Sequence, residues 1–268
     1  MNEKLTVGSL FSGIGGLDLG LERTGGFEIK WQCEYDKHAQ RILKKHWPGI
    51  PCYDDVRELY KTIFPEPTDL LCGGFPCQDV STIGKRRGMS EGSGTRSSLY
   101  FEFARIIGAA KPRWVIVENV RGLLSIDVGR GVGQVFRTLS DLGYDAEGKI
   151  IPACSVGAPH QRQRVFIIAY PVGQLGEETL FSADTLNRNM GDGGLPLERT
   201  DWNGIRFDGT RKGALESFKR EMGQPFTVGV DDGIPDWMDR NTRLGNAVVP
   251  QVAQYIGECI LRHERGLK

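Results

Sequence analysis

A cysteine acts as a nucleophile when it is partly exposed, held in one orientation and close to positive charge that favours the thiolate. Gly73-Gly74-Phe75-Pro76-Cys77-Gln78 has the composition to hold one that way. The preceding Thr68-Asp69-Leu70-Leu71-Cys72 reads as a short buried strand bounded by turn residues. The glycine pair at its end lets a ligand or another backbone come close, and Pro76 fixes the chain just before the thiol. A core cysteine after a turn is the plainer alternative. What tells against it is Val115-Ile116-Val117-Glu118-Asn119-Val120, where a carboxylate ends an otherwise apolar strand. Burial there would raise the proton affinity of Glu118 and suit it to donate a proton. Asn119 either holds neighbouring backbone or is a satisfied turn residue.

Two further stretches could complete a site. In Ala158-Pro159-His160-Gln161-Arg162-Gln163-Arg164-Val165-Phe166, an extended backbone puts Arg162 and Arg164 on one side, where both reach one ligand. In Leu10-Phe11-Ser12-Gly13-Ile14-Gly15-Gly16, glycines between a strand and a helix let a cofactor lie against the backbone. This is not a dinucleotide fingerprint, because Asp18 stands where its third glycine is needed. Glu34 follows about 20 residues later, the spacing at which an acid grips ribose hydroxyls. Asp55, after a third short strand, could accept a hydrogen bond from an adenine amino group. Either acid alone would more often be a solvated surface residue; their order and spacing favour a cofactor pocket.

Those residues need a scaffold. Strand patterns at Leu5–Leu10, Glu28–Glu34, Leu70–Cys72, Trp114–Glu118 and Arg164–Tyr170 alternate with helical ones. The helices start near Gly16 and Asp36 and run around Leu99–Ala110 and Val132–Leu142. This alternation predicts an α/β fold with a mostly parallel sheet covered on both faces. Composition changes at Pro171, beyond which glycines such as Gly191, Gly193, Gly194, Gly204 and Gly209 break up short apolar runs. Regular patterning returns at Val248–Leu261. The expected division is a catalytic domain over 1–171, a small insert over 172–243 and a closing segment over 244–268.

Composition excludes several classes. The 34 basic and 34 acidic residues cancel, so any surface for nucleic acid must be local. Six scattered cysteines (33, 52, 72, 77, 154 and 259) contain no C-x-x-C pair, so neither a zinc site nor a disulfide framework is expected. The amino-terminal residues lack a signal-peptide pattern and no apolar run spans a membrane, which points to a cytoplasmic setting. Two segments are locally basic. Ser81 through Arg96 carries Lys85, Arg86, Arg87 and Arg96 against Glu91, with glycines at 84, 88, 92 and 94. Directly after the candidate nucleophile, it reads as a phosphate-contacting lid rather than a solvated loop. Between Arg199 and Arg220, six basic residues face Asp201, Asp208 and Glu216, interleaved with Trp202 and Phe207. This stretch is the candidate for base-edge and phosphate contact, with a solvated loop as the alternative.

Together, GGFPCQ and ENV resemble the two catalytic signatures of the DNA (cytosine-5)-methyltransferases, in the right order. Further matches run from Leu10 to Tyr170 and resume at Gly245. The resemblance implies a Rossmann-like S-adenosylmethionine-dependent methyltransferase core with a small inserted target-recognition domain. It implies Cys77 as nucleophile, Glu118 as proton donor, and Arg162 and Arg164 supporting the nucleophile and the base's oxygen 2. Phe11 would stack on adenine, Glu34 hold the ribose, and Asp55 and Val56 flank the base. Ser12, Gly13, Gly16 and Tyr35 would line the same pocket, with Gly74, Pro76 and Leu99 near the sulfonium. Asn246, Ala247 and Val248 belong to a final motif that returns to it.

For DNA, the resemblance implies contacts from Ser81, Lys85, Arg86, Arg87 and Arg96. In the insert, Trp202, Arg206, Arg211 and Lys212 are the candidates. The implied partner is duplex DNA with a short specific site, met by base flipping in a restriction-modification setting in a bacterial or phage-infected cell. No metal is implied, and a monomer is expected. Two departures stand out: His160 replaces the usual glutamine, and Val228–Trp237 replaces the Arg-and-Glu motif that normally follows the recognition region, as in compact members carried by bacteria and their viruses. Cytosine-5 methylation of transfer RNA, or a catalytically silent DNA-binding protein on the same fold, are the alternatives.

Overall fold

The structure, a computed structural model, describes residues 3–76, 99–125, 129–157, 162–175, 179–181 and 248–266. In chain order the elements are β1 (Leu5–Leu10), α1 (Gly16–Arg23), β2 (Phe27–Cys33), α2 (Lys37–His46), β3 (Cys52–Tyr53) and β4 (Leu70–Gly73). They continue with α3 (Leu99–Ala110), β5 (Trp114–Val120), α4 (Arg130–Asp141), β6 (Tyr144–Pro152), β7 (Gln163–Pro171) and α5 (Pro250–Glu264). The strands form one sheet of seven in the order β3-β2-β1-β4-β5-β7-β6.

Strands β1 to β5 pair in parallel, each return being made through a helix or a longer crossover. The central strands are apolar on both sides, as burial on two faces requires: Leu70, Leu71, Trp114, Val115 and Ile116 are all fully buried. One core layer lies between the sheet and α3 and α4, including Phe103, Ile107, Val135 and Leu139. The other holds Leu17 and Leu21 of α1, Leu43 of α2, and Val252 and Ile256 of α5.

The fold departs from the sequence pattern at Tyr144–Pro152, which carries no strand signal. This stretch is the edge strand β6, paired antiparallel with β7 along its whole length. Its pattern is weak because its few buried residues fall on both sides, Tyr144 in one core layer and Ile151 in the other, and Asp145, Glu147, Gly148 and Lys149 interrupt it. Strand β7 then inserts antiparallel between β6 and β5. The core also continues past Pro171: Leu175 and Leu180 are buried in the α1–α5 layer, and Leu180 N–H donates to Glu147 Oε1 at 2.9 Å.

Candidate active site

The functional candidates gather where β1, β2, β3 and β4 end. With β1 flanked by β2 on one side and β4 on the other, the chain runs outward in opposite directions from here, the switch point at which open α/β sheets bind ligands. After β1 the chain turns sharply. Phe11 takes a left-handed backbone conformation (φ 52°), costly for a residue with a Cβ, and its ring packs on Phe103 with centroids 6.3 Å apart. Ser12 Oγ donates to the carbonyl of Ser9 at 3.1 Å, tying the turn to the strand. Gly13 N–H donates to Glu34 Oε2 at 2.7 Å, and Asp36 N–H donates to Glu34 Oε1 at 2.8 Å. The half-buried Glu34 carboxylate is thus oriented by two backbone donors and keeps further lone pairs for hydroxyl groups.

The remaining pocket candidates fall around this pair. Tyr35 stands out in solvent, 74% exposed. Arg57 forks onto Asp55, with Nε to Oδ1 at 2.9 Å and Nη2 to Oδ2 at 2.6 Å, and holds that carboxyl below its usual range. Val56 is turned into the core, and its carbonyl accepts from Arg105 Nη2 at 3.3 Å. Leu99 opens α3, half-buried against the core. Val248 lies just before α5 with its carbonyl against Gly16, where a side chain at 16 would collide with it. These features fit a nucleoside: two oriented acids, an aromatic face, and open space beside Gly13, while Gly15 and Gly16 pack against Trp47 and Val248.

A second set of groups sits one strand away. Glu118 pairs across β5 and β7 with Phe166, and the diagonal neighbour Arg164 reaches it, Nε lying 3.1 Å from Oε1. The Glu118 side chain is buried and lies against Gly74, where an added Cβ would come within 2.5 Å of Oε2. Burial pushes its carboxyl up to about 7, against the opposing pull of Arg164 and Arg162. Burial and the neighbouring Arg164 hold Arg162 down to about 10, which leaves it charged at neutral pH. Asn119 points to the other face of β5, and its Nδ2 donates to the carbonyl of Phe75 at 3.0 Å. Phe75 itself is buried against Tyr100 with ring centroids 5.1 Å apart. The chain entering Cys77 is therefore pinned from two sides, and Pro76 is its last described residue.

Cys77, the basic residues Lys85, Arg86, Arg87 and Arg96 with Ser81, and His160, Asn246 and Ala247 lie outside the described residues, as do Trp202, Arg206, Arg211 and Lys212. Two connections are invisible to sequence reasoning. Arg121 Nη1 donates to Gln163 Oε1 at 2.8 Å, linking the ends of β5 and β7. Gln40 of α2 bonds to both Glu34 and Asp54. Neither Arg121 nor Gln40 belongs to a motif, and Gln163 and Asp54 lie in other elements or loops of the chain.

A family model for C-5 cytosine-specific DNA methylases matches residues 5–190, which is more than half of the chain. The chain belongs to that family. Methyltransferases of this family use S-adenosylmethionine as methyl donor. Type II methyltransferase M.HpaII of Haemophilus parainfluenzae is 37% identical over 172 residues, covering 63% of this chain and 47% of the relative. Type II methyltransferase M2.BsuMI of Bacillus subtilis is 30% identical over 234 residues, covering 86% of this chain and 58% of the relative. A solved DNA modification methyltransferase encoded within an E. coli prophage has a TM-score of 0.52 at 32% identity, covering 63% of this chain and 47% of that one. The chain spans about half the length of the curated relatives it matches. The sheet accordingly has the Rossmann-like fold of this family. Among the described residues, no helix is long and apolar enough to cross a membrane.

Proposed function

We propose that this protein transfers a methyl group from S-adenosylmethionine to carbon 5 of a cytosine flipped out of duplex DNA at a short specific sequence. The observation that carries the reading is the buried Glu118 carboxyl. It lies against Gly74 of the cysteine-bearing turn, with Arg164 3.1 Å away and a proton affinity raised into the neutral range. A carboxyl with that environment can donate a hydrogen to a ring nitrogen at neutral pH.

When bound, the cofactor supplies an electrophilic methyl group on its sulfonium. In the cleft, Glu34 would hold the ribose, Phe11 the adenine face and Asp55 with Val56 its edge. Ser12, Gly13, Gly16, Tyr35 and Leu99 would complete the walls, with Gly74 and Pro76 toward the methyl group and Asn246, Ala247 and Val248 closing the pocket. Carbon 5 of cytosine is too weakly nucleophilic to react directly. The Cys77 thiolate forms a bond to carbon 6, and the displaced ring electrons build up on carbon 5 and toward nitrogen 3 and oxygen 2. Glu118 donates a proton at nitrogen 3, while Arg162 and Arg164 face oxygen 2 and the thiolate. Carbon 5, now nucleophilic, would accept the methyl group, the broken carbon–sulfur bond leaving its electron pair on the cofactor's sulfur. Loss of the carbon 5 proton to water restores the ring double bond and expels the Cys77 thiolate, and the proton on nitrogen 3 returns to Glu118.

The target base must leave the stack for this chemistry. Ser81, Lys85, Arg86, Arg87 and Arg96 are proposed to hold the opened strand. The segment 172–243 is proposed as the target-recognition region, with Trp202 and Arg206 reading bases and Arg211 and Lys212 meeting phosphates. A monomer suits this arrangement.

Radiolabelled methyl transfer onto duplex DNA and onto transfer RNA, side by side, tests the reading. Label should appear on cytosine in DNA, and DNA carrying 5-fluorocytosine should trap a covalent adduct, since fluorine blocks the final elimination. Cys77→Ser should abolish both while leaving cofactor binding nearly unchanged. Label in transfer RNA alone would reassign the substrate, and an adduct persisting in the serine variant would remove Cys77 as nucleophile.

A further inference from the structure

Two acid-bearing loops flank the cofactor cleft, one after β2 and one after β3, and a single buried side chain bridges them. Gln40 is the fourth residue of α2 and only 4% exposed. Its Nε2 donates to the carbonyl of Glu34 and, at 2.8 Å, to Asp54 Oδ1. Glu34 directly follows β2, and Asp54 directly follows β3 and precedes Asp55.

The geometry follows from the start of the helix. Asp36 caps α2 by accepting from His38 N–H at 2.7 Å and Ala39 N–H at 3.2 Å. Asp36 N–H in turn holds the Glu34 carboxylate, and Gln40 N–H closes the first turn on the Asp36 carbonyl at 3.0 Å. Helical side chains lean toward the amino terminus of their helix, so Gln40 is aimed back over the cap at the strand ends. An amide nitrogen has two hydrogens to give, and here one goes to each loop. Lys37 also meets Asp54 at 2.6 Å, but both side chains are more than 60% exposed and water screens the pair.

We propose that Gln40 is a positioning residue for the adenine nucleoside: added to the backbone bond from Glu34 N–H to the Tyr53 carbonyl at 2.9 Å, it holds the loop that bears Asp55 to the loop that bears Glu34. This rests on the functional reading above. Gln40 reaches neither the cysteine turn nor Glu118, so its effect falls on binding shared by ground state and transition state. Affinity should change and turnover at saturation should not.

Calorimetric titration with S-adenosylhomocysteine, together with steady-state kinetics, tests this. Gln40→Met keeps the shape and removes both donated hydrogen bonds. Its dissociation constant and its cofactor KM should rise about tenfold or more, with kcat at saturating cofactor retained. Gln40→Glu has the same outline but lacks a donor when ionised. Its affinity deficit relative to wild type should shrink as pH falls from about 8 to about 5.5 and the carboxyl gains a proton. That second variant decides the matter should the methionine variant fail to fold. Wild-type affinity in a folded Gln40→Met protein, a pH-independent deficit in Gln40→Glu, or a kcat that falls as steeply as affinity would each overturn the proposal. Wild-type protein that takes up no S-adenosylhomocysteine would instead sink the functional reading itself.

Discussion

Glu118 shows how opposing effects set one proton. Removal from water raises its affinity for a proton, two guanidinium groups lower it, and burial wins, leaving the carboxyl at about 7. Glu118→Gln should therefore keep most cofactor and DNA affinity yet lose ~10²–10⁴-fold in rate, the usual span for a general acid. In the wild type, the rate should fall as pH rises through about 7, because the protonated donor is titrated away. Stability carries the same sign. The folded protein holds this proton more tightly than the unfolded chain, so the contribution is full below about pH 4.5 and lost as pH rises through about 7. Denaturant melts across that window should show the wild type losing up to about 1.4 kcal/mol per pH unit from this group, a slope absent once Glu118→Gln removes the titrating carboxyl. Near-normal turnover in the variant would leave Glu118 a structural role only.

At the scale of elements, the contact between α1 and α5 decides whether the two ends of the chain build one pocket. It is made possible by a missing side chain: a Cβ at Gly20 would meet the Pro250 carbonyl and come within 2.5 Å of Ala253 Cβ and 2.9 Å of Gln254 N. Two of these three atoms are backbone, so relief requires α5 to move. Gly20→Ala gains helix propensity, but overpacking of about 1–3 kcal/mol outweighs that gain of roughly 1 kcal/mol. Thermal unfolding should show a melting temperature lowered by a few degrees, and Ala253→Gly in the same chain should restore only part of it. Because Val248 rests on Gly16 one turn earlier, cofactor affinity should weaken along with stability. An unchanged melting temperature would mean that α5 shifts without cost.

At the scale of the whole molecule, charge sets how DNA could be held. With 34 residues of each sign, no overall field draws a polyanion, and affinity must come from local clusters. If the stretch from Arg199 to Arg220 meets phosphates, neutralising Arg211 and Lys212 should weaken DNA binding. The dependence of log affinity on log salt should flatten by about 0.9 for each phosphate that is no longer neutralised. Cofactor affinity should stay fixed, since the cleft is built from the other part of the chain. Salt slopes equal to wild type would move the interface to the Ser81–Arg96 segment.

The sequence by itself determined the parts whose signal is local. The glycine turn after β1, the acids that follow β2 and β3, and the apolar strand ending in Glu118 are each read from a few adjacent residues, because side-chain type and period are enough to specify them. The Asp36 cap is legible for the same reason, as the start of a helical pattern. Edge strand β6 is not legible, since its buried residues Tyr144, Glu147 and Ile151 follow no alternation and charged residues interrupt it, so it is defined by its pairing with β7. Tertiary structure alone decided which distant groups meet. It brought Arg164 to Glu118 across an antiparallel ladder, Asn119 to the Phe75 carbonyl, and Gln40 to two loops at once. Such contacts join residues from separate elements, and no local pattern encodes the distance that packing of the sheet and its helices closes between them.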